Sequence, residues 1–279
     1  SALLVAAGDR LSKHWATAGA AAEGLPGRPA AAGDGPAVAP AGPSAMEAST
    51  EGQAPPAELL VVYGASGGTG VAVLQVALER GYAVRAFVRS RNRLARELGE
   101  LFDHAALEVV EGDLEDLAAV AAATAGCRAV VSVAGARPET APGPMAAAVP
   151  AMVAGCREHG VRKLVVQAGA LSTVPGERWG WLTSGSLART VVKWQLGSSV
   201  VDDNDRVMRY LYHEVRDLDW VVSRPPGLEE GERLGPLAPC LDHYRPACVR
   251  YIDVADWTLA QVESDAYVGK MPRLYYPPV

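Results

Sequence analysis

The chain has 279 residues, 49% of them apolar, which is enough for a substantial hydrophobic core. A formal net charge of −6 argues against nucleic acid as the main partner, because phosphate backbones are bound by basic surfaces. No stretch reaches the roughly 20 consecutive apolar residues of a membrane span, so no transmembrane segment is predicted.

Residues 1–57 differ in composition from the rest and are dominated by alanine, glycine and proline. Leu4, Leu11 and Trp15 recur at near-helical spacing and predict at most a short amphipathic helix. The low-complexity sequence that follows predicts a linker or disorder, and such an arm becomes ordered only against a partner, for example a larger protein complex. The acid-poor start at Ser1 fits either an organelle-targeting segment or a mature N-terminus, with plastid stroma and mitochondrial matrix as candidate compartments.

From residue 58 onward, apolar segments of strand length alternate with helical patterns. The predicted strands are Leu59–Tyr63, Ala83–Val88, Leu107–Val110, Ala129–Val133, Lys163–Gln167 and Leu218–Ser223. The predicted helices are Gly68–Arg80, one starting at Arg91, Leu114–Ala125, Met145–His159 and Val201–Arg216.

Nearly continuous apolar strands that alternate with helices predict an α/β protein with a parallel sheet covered on both faces. Right-handed crossovers make this a doubly wound, Rossmann-type sheet. We therefore expect an irregular N-terminal arm over residues 1–57. Residues 58–279 are expected to form this Rossmann domain with a small C-terminal lobe for a substrate or partner.

The most informative motif is the glycine-spaced turn between the first strand and the first helix. Gly64 permits a tight turn, Gly67 lets the backbone approach a pyrophosphate, and Gly70 allows close packing of helix on strand. The helix start offers free N–H groups and a positive dipole end to phosphates. The predicted pyrophosphate-binding residues are Gly64, Ser66, Gly67, Gly68, Thr69 and Gly70.

Basic residues follow the second strand, where an acidic residue would select NAD by binding the ribose hydroxyls. The sequence there contains Arg89, Ser90, Arg91 and Arg93, which suit a 2′-phosphate. NADP is therefore favoured over NAD, with Arg89 as the first candidate. The alternative is a solvated basic helix start.

Further cofactor contacts are predicted where other strands end. Asp113, followed by Leu114, either accepts a hydrogen bond from the adenine amino group or caps the next helix. Ala134 and Gly135 are small enough for backbone to run beside the cofactor. Pro225, which stops the sixth strand, completes this set.

No metal site is predicted from the cysteines or the acidic residues. The four cysteines show no CxxC spacing, and buried free thiols in a reducing compartment are the simplest interpretation, with a Cys240–Cys248 disulfide as the alternative. The acidic run at 202–205 lacks the glycine and terminal glutamate of an EF-hand loop, so it predicts helix capping and solvation.

In combination, these motifs resemble the atypical short-chain dehydrogenase/reductase superfamily, in the NAD(P)H-binding branch typified by biliverdin-IXβ reductase, also called flavin reductase. The resemblance covers roughly residues 58–260. It rests on GASGGTG at 64–70, VRSRNRL at 88–94, EGDLED at 111–116, VAGA at 133–136, HGVRKLVVQ at 159–167, LDWVVSRPPGL at 218–228 and YIDVADWTLAQV at 251–262. It implies nicotinamide binding and does not specify a substrate.

The sequence departs from this superfamily at the catalytic positions. Many members use a Tyr-x-x-x-Lys pair as acid/base, and no tyrosine in this chain has a lysine four places on. The usual serine after the fifth strand is replaced by Ala170, which leaves Ser172 as a weak substitute.

Two functions remain open. The first is an NADPH-dependent reductase of a small planar or carbonyl substrate, in which the nicotinamide does the chemistry. The second is a non-catalytic accessory or assembly subunit of a photosynthetic or respiratory membrane complex, docked through residues 1–57.

Overall fold

A six-stranded parallel sheet forms the centre of the chain in the computed structural model, which describes residues 57–135, 143–176, 189, 190, 193 and 198–278. The strand order is β3-β2-β1-β4-β5-β6, so the direction of winding reverses between β1 and β4. The strands are β1 Leu59–Tyr63, β2 Ala83–Val88, β3 Leu107–Glu111, β4 Ala129–Ser132, β5 Lys163–Gln167 and β6 Asp219–Ser223. Ligands of open α/β sheets bind beyond the carboxyl ends of the strands at such a reversal.

Helices cover both faces of the sheet, as a doubly wound fold requires. They are α1 Gly68–Glu79, α2 Arg91–Leu98, α3 Leu117–Ala122, α4 Met145–His159, α5 Ser198–Glu214 and α6 Tyr251–Glu263, with a 3₁₀ turn at Gly99–Asp103. One core joins the sheet to α3, α4 and α5, and the opposite core joins it to α1, α2 and α6. The α/β, Rossmann-type prediction is confirmed.

The C-terminal part of the chain adds four short strands. β7 Gly227–Glu229 pairs in parallel with β9 Cys248–Arg250, and β8 Ala238–Cys240 pairs antiparallel with β10 Arg273–Tyr275. The segment before β10 runs along β6, with backbone hydrogen bonds from Val222 to Lys270 at 3.1 Å and from Arg224 to Pro272 at 2.9 Å. It thereby satisfies part of an edge that would otherwise be open.

Two helix starts differ from the sequence-based prediction. Helix α3 begins at Leu117 rather than Leu114, because Asp116 caps it by accepting the Ala119 N–H at 3.0 Å. Helix α5 begins at Ser198, ahead of the acidic run, so these residues lie inside the helix.

Asp203, within that run, caps a different helix. Its carboxylate accepts the N–H groups of Met145 at 3.2 Å and of Ala146 at 2.8 Å at the start of α4. Burial raises the pKa of Asp203, although the two N–H donors oppose that shift. The capping prediction is confirmed for this residue, which lies on α5 and caps α4.

The remaining predictions concern the N-terminal arm, the cysteines, membrane spans and metal sites. The N-terminal arm and its short helix lie outside the described residues. All four cysteines are free, so the Cys240–Cys248 disulfide alternative is wrong. Within the described ranges, no helix has the length and apolar character to cross a bilayer, and no cluster of three metal-ligating side chains occurs.

Candidate functional site

The turn after β1 has the backbone geometry that its glycines suggest. Gly64 has φ +79°, a left-handed conformation that favours glycine. A Cβ at this position would lie 2.5 Å from the Ala134 backbone, so the turn packs directly against the chain that leaves β4. Two adjacent strand ends, on either side of the winding reversal, therefore meet at Gly64.

Gly70 fixes the approach of α1 to the strand. A Cβ on Gly70 would lie 2.2 Å from the Gly64 carbonyl oxygen and 2.7 Å from Ala65, which only glycine avoids. The turn is closed by a 3.0 Å hydrogen bond from the Gly67 N–H to the Gly64 carbonyl. This contact holds the first turn of α1 close to the end of β1.

The first turn of α1 is uncrowded at Gly67 and accessible to solvent at Gly68. A Cβ on Gly67 would meet only the Gly64 carbonyl oxygen, at 3.4 Å, and Gly68 is exposed. The leading N–H groups of a helix have no carbonyl partner within it, so they are donors for an anion. Ser66 is half-buried beside them, and the buried Thr69 hydroxyl accepts from the Gln167 side-chain amide at 3.4 Å.

The three arginines after β2 have different surroundings. The Arg91 guanidinium stacks 5.0 Å from the centre of the Phe102 ring, and that of Arg93 lies 3.9 Å from the Glu97 carboxylate. Within the described part of the chain, the exposed Arg89 guanidinium has neither a hydrogen bond nor an ion pair. Arg89 is therefore the arginine most available to a ligand.

Ser90 and Glu111 organise the start of α2. Ser90 caps the helix by accepting the Arg93 N–H at 3.3 Å. Glu111, at the end of β3, accepts the Arg91 N–H at 2.7 Å. A carboxylate thus lies at the helix start that the predicted 2′-phosphate would approach. The sequence gives no signal of it, because Glu111 lies on another strand, 20 residues from Arg91.

Asp113 does not cap α3, so that alternative is wrong. Its carboxylate accepts the Glu115 N–H at 3.0 Å and closes a local turn. The adjacent Leu114 is half-buried and packs against the core on the α3, α4 and α5 side. The adenine contact predicted for Asp113 stays a prediction.

The remaining residues predicted to contact the cofactor, which follow β4 and β6, have small or apolar side chains. Ala134 is buried against Gly64, and Gly135 is exposed with open space where a Cβ would stand. Pro225 is buried, and its carbonyl accepts the Ala170 N–H at 2.9 Å, which ties the chain after β6 to the chain after β5.

Two fully buried arginines hold the loop after β5. Arg224 donates to the Ser172 carbonyl at 2.9 Å and to the Met271 carbonyl at 2.7 Å, and Arg273 donates to the Ala170 carbonyl at 2.9 Å. Charged donors on backbone carbonyls make strong hydrogen bonds, so this loop is rigidly positioned.

Ser172 lies inside this loop with only 1% of its surface exposed. Its hydroxyl has no hydrogen-bond partner among the described residues. The described ends of β4 and β5, Ser132 to Ala134 and residues 167–172, contain no lysine or tyrosine. The register partner of Ser132 on β1 is Tyr63, whose buried hydroxyl donates to the Val120 carbonyl at 2.5 Å. The described strand ends therefore offer hydroxyl, amide and apolar groups, and no ionisable acid/base.

Two cavities lie next to this loop. One of about 510 Å³ is lined by Thr173 to Gly176 and by Arg209, Tyr212 and His213 of α5, and one of about 430 Å³ shares Val174 and Tyr212 with it. Neither includes a residue of the glycine turn.

Tyr251 is a further residue near the turn. A Cβ on Gly68 would lie 2.6 Å from Cζ of the Tyr251 ring. The first residue of α6 therefore reaches the first residue of α1, a contact for which the sequence carries no signal beyond the extra glycine at 68.

These features suit a dinucleotide. Gly64 and Gly70 could not be replaced without a backbone clash, Gly67 is uncrowded and Gly68 is exposed at the start of α1, and the exposed Arg89 lies after the neighbouring strand. When bound, a nicotinamide dinucleotide would supply redox chemistry that the described side chains lack.

Comparison with known proteins agrees with this geometry. A family model described as NAD(P)H-binding matches residues 64–265. The oxidoreductase YlbE of Lactococcus lactis is 17% identical, with a TM-score of 0.64 over 79% of this chain and 92% of that one.

Two further solved structures share the fold. A short-chain dehydrogenase/reductase of Veillonella parvula, solved in complex with NADP, is 14% identical, with a TM-score of 0.63 over 79% of this chain and 95% of that one. The anaerobilin reductase ChuY of Escherichia coli O157:H7 is 20% identical, with a TM-score of 0.60 over 79% and 98%. The family match covers most of the chain, which therefore belongs to this NAD(P)H-binding family.

Proposed function

We propose that this protein is an NADPH-dependent reductase of a small planar or carbonyl substrate. The observation that carries the proposal is the glycine turn at the start of α1 together with Arg89 after the adjacent strand β2, whose exposed guanidinium has no hydrogen bond or ion pair among the described residues. The amides of this turn would hold the pyrophosphate, and Arg89 would hold the 2′-phosphate.

The preference for NADP depends mainly on Arg89 and less on Arg91 and Arg93. Arg91 is stacked on Phe102 and Arg93 faces Glu97, so each would give up an existing contact to bind a phosphate. Glu111 opposes the preference, because its carboxylate repels a 2′-phosphate near the α2 start. NADP is therefore preferred only if the attraction of Arg89 for the 2′-phosphate exceeds the repulsion by Glu111.

The protein's contribution to reduction would be binding and orientation. The described ends of β4 and β5 carry no ionisable side chain, so the proton accompanying reduction would come from solvent or from the substrate. The buried arginines Arg224 and Arg273 fix the loop that faces the substrate side of the site. The reductase description of one solved relative and the bound NADP of another support this class of activity.

The test is consumption of NADPH by the purified full-length protein with a panel of flavin, quinone and small carbonyl acceptors. A reductase oxidises NADPH faster with at least one acceptor than a Gly70→Ala variant does. The proposal fails if NADPH binds and no acceptor is reduced.

The second candidate is a non-catalytic NADP-binding accessory subunit. It is favoured by the buried, catalytically unsuited position of Ser172 and by the missing Tyr-x-x-x-Lys pair. On this alternative, deletion of residues 1–57 abolishes co-purification with a larger complex and leaves NADPH binding intact. Full co-purification of the truncated chain would exclude it.

A further inference from the structure

Gly68 is a glycine of the turn that neither a positive φ nor a backbone contact explains. Its neighbour is the ring of Tyr251, whose Cζ, Cε2 and Cε1 atoms would lie 2.6, 2.8 and 2.9 Å from a Cβ at this position. Any side chain at residue 68 would therefore displace the ring. The hydroxyl-bearing end of the ring, at Cζ, is the end nearest to Gly68.

Tyr251 is held in place by contacts on both sides of it in the chain. The preceding Arg250 donates its N–H to the Tyr276 hydroxyl at 3.0 Å, and its guanidinium lies 3.3 Å from the Glu229 carboxylate. Two residues after Tyr251, Asp253 accepts from the Tyr276 hydroxyl at 2.5 Å and from the Leu234 N–H at 3.1 Å. The start of α6 is thus preorganised.

The Tyr251 hydroxyl has no hydrogen-bond partner within the described ranges. The ring is half-buried against the core formed with α1, α2 and α6. Burial first, and then the charge of Glu230, raise the pKa of this phenol, so it stays protonated and acts as a donor at neutral pH.

We propose that Tyr251 is an additional cofactor-binding residue, whose hydroxyl donates a hydrogen bond to the pyrophosphate held at the start of α1. Gly68 is required because its lack of a side chain admits the ring to this position. The inference depends on the proposed function only in placing the pyrophosphate at this helix start. A preorganised neutral donor to an anion strengthens binding without ordering a flexible side chain.

The decisive variant is Tyr251→Phe, which keeps the ring and removes the hydroxyl. Dissociation constants for NADPH, 2′-phospho-ADP-ribose and 2′-AMP are measured by isothermal titration with the full-length protein. The two pyrophosphate-containing ligands should bind about tenfold more weakly to the variant, as expected for one lost hydrogen bond to a charged group. Binding of 2′-AMP, which lacks the pyrophosphate, should be unchanged.

The control is Tyr212→Phe, a half-exposed tyrosine on α5 that is distant in the topology from the glycine turn. It should leave all three dissociation constants unchanged. Gly68→Ala should weaken the two pyrophosphate ligands as Tyr251→Phe does, because the added methyl group displaces the ring.

Wild-type affinity of Tyr251→Phe for NADPH and 2′-phospho-ADP-ribose would overturn the inference while leaving the dinucleotide site in place. An equal loss for 2′-AMP would also contradict it, since that indicates a general change in the site. If the wild-type protein binds none of the three ligands, the proposed function fails first, and the inference fails with it.

Discussion

Replacement of Arg89 by alanine should change cofactor preference more than replacement of either neighbouring arginine. Arg89 is exposed and free of other contacts in the described chain, so its whole charge is available to a 2′-phosphate. A charge-assisted hydrogen bond contributes about 1.5–3 kcal/mol, and solvent screening favours the lower end for an exposed group. About 1.4 kcal/mol corresponds to tenfold in affinity.

Arg89→Ala should therefore weaken NADPH about tenfold and leave NADH within about twofold. Arg91→Ala is the matched comparison. It removes the contact with Phe102, which is worth about 0.5–1 kcal/mol of stability at an exposed site, and should change the NADPH:NADH ratio by less than about threefold.

The assay is fluorescence titration of each variant with NADPH and NADH at two salt concentrations. Raising the salt should shrink the Arg89 effect, because exposed charges are screened over about 8 Å at physiological ionic strength. Equal weakening of NADPH and NADH by Arg89→Ala would refute the assignment of the 2′-phosphate to this residue.

Three further predictions concern stability. Gly70→Ala places a methyl group 2.2 Å from the Gly64 carbonyl oxygen and should lower the free energy of unfolding by about 1–3 kcal/mol in urea titrations, while also weakening NADPH; unchanged stability would contradict the close contact. Asp203→Ala removes the α4 cap and should cost about 1–2 kcal/mol, seen as a lower melting temperature, and an unchanged value would show that the cap is dispensable. The Arg157 guanidinium lowers the pKa of Asp217 to about 2. This pair therefore stabilises the fold above the ordinary aspartate pKa and loses its effect as the pH falls towards 2. Asp217→Asn should show a shallower loss of stability over that pH range in acid unfolding, and an acid profile identical to that of the wild type would contradict the prediction.

The central strands were predictable because each is a short apolar run between turn signals. Leu59–Tyr63, for example, is bounded by polar sequence and by the glycine turn, and four of its five residues are buried. The strands of the C-terminal region were missed because each has three residues, too few for a period-two pattern to show. Their pairing depends on tertiary contacts such as those along β6.

Some features of the candidate site could likewise be predicted from the sequence and others could not. The roles of Gly64 and Gly70 follow from local backbone geometry, which the motif encodes directly. The positions of Glu111, Tyr251 and Asp203 relative to helices α2, α1 and α4 could not be predicted, because each contact joins residues that lie far apart in the chain or on another element. An acidic side chain that caps a distant helix looks the same in sequence as one that caps its own.

The central claim is that the turn at residues 64–70, with Arg89, selects NADPH. The direct test is a side-by-side measurement of the dissociation constants of the wild-type full-length protein for NADPH and NADH. The structure leads us to expect NADPH to bind more tightly, by up to about tenfold, which is the effect of one guanidinium on a phosphate less the repulsion by Glu111. Equal affinities for the two cofactors, or tighter binding of NADH, would contradict the account.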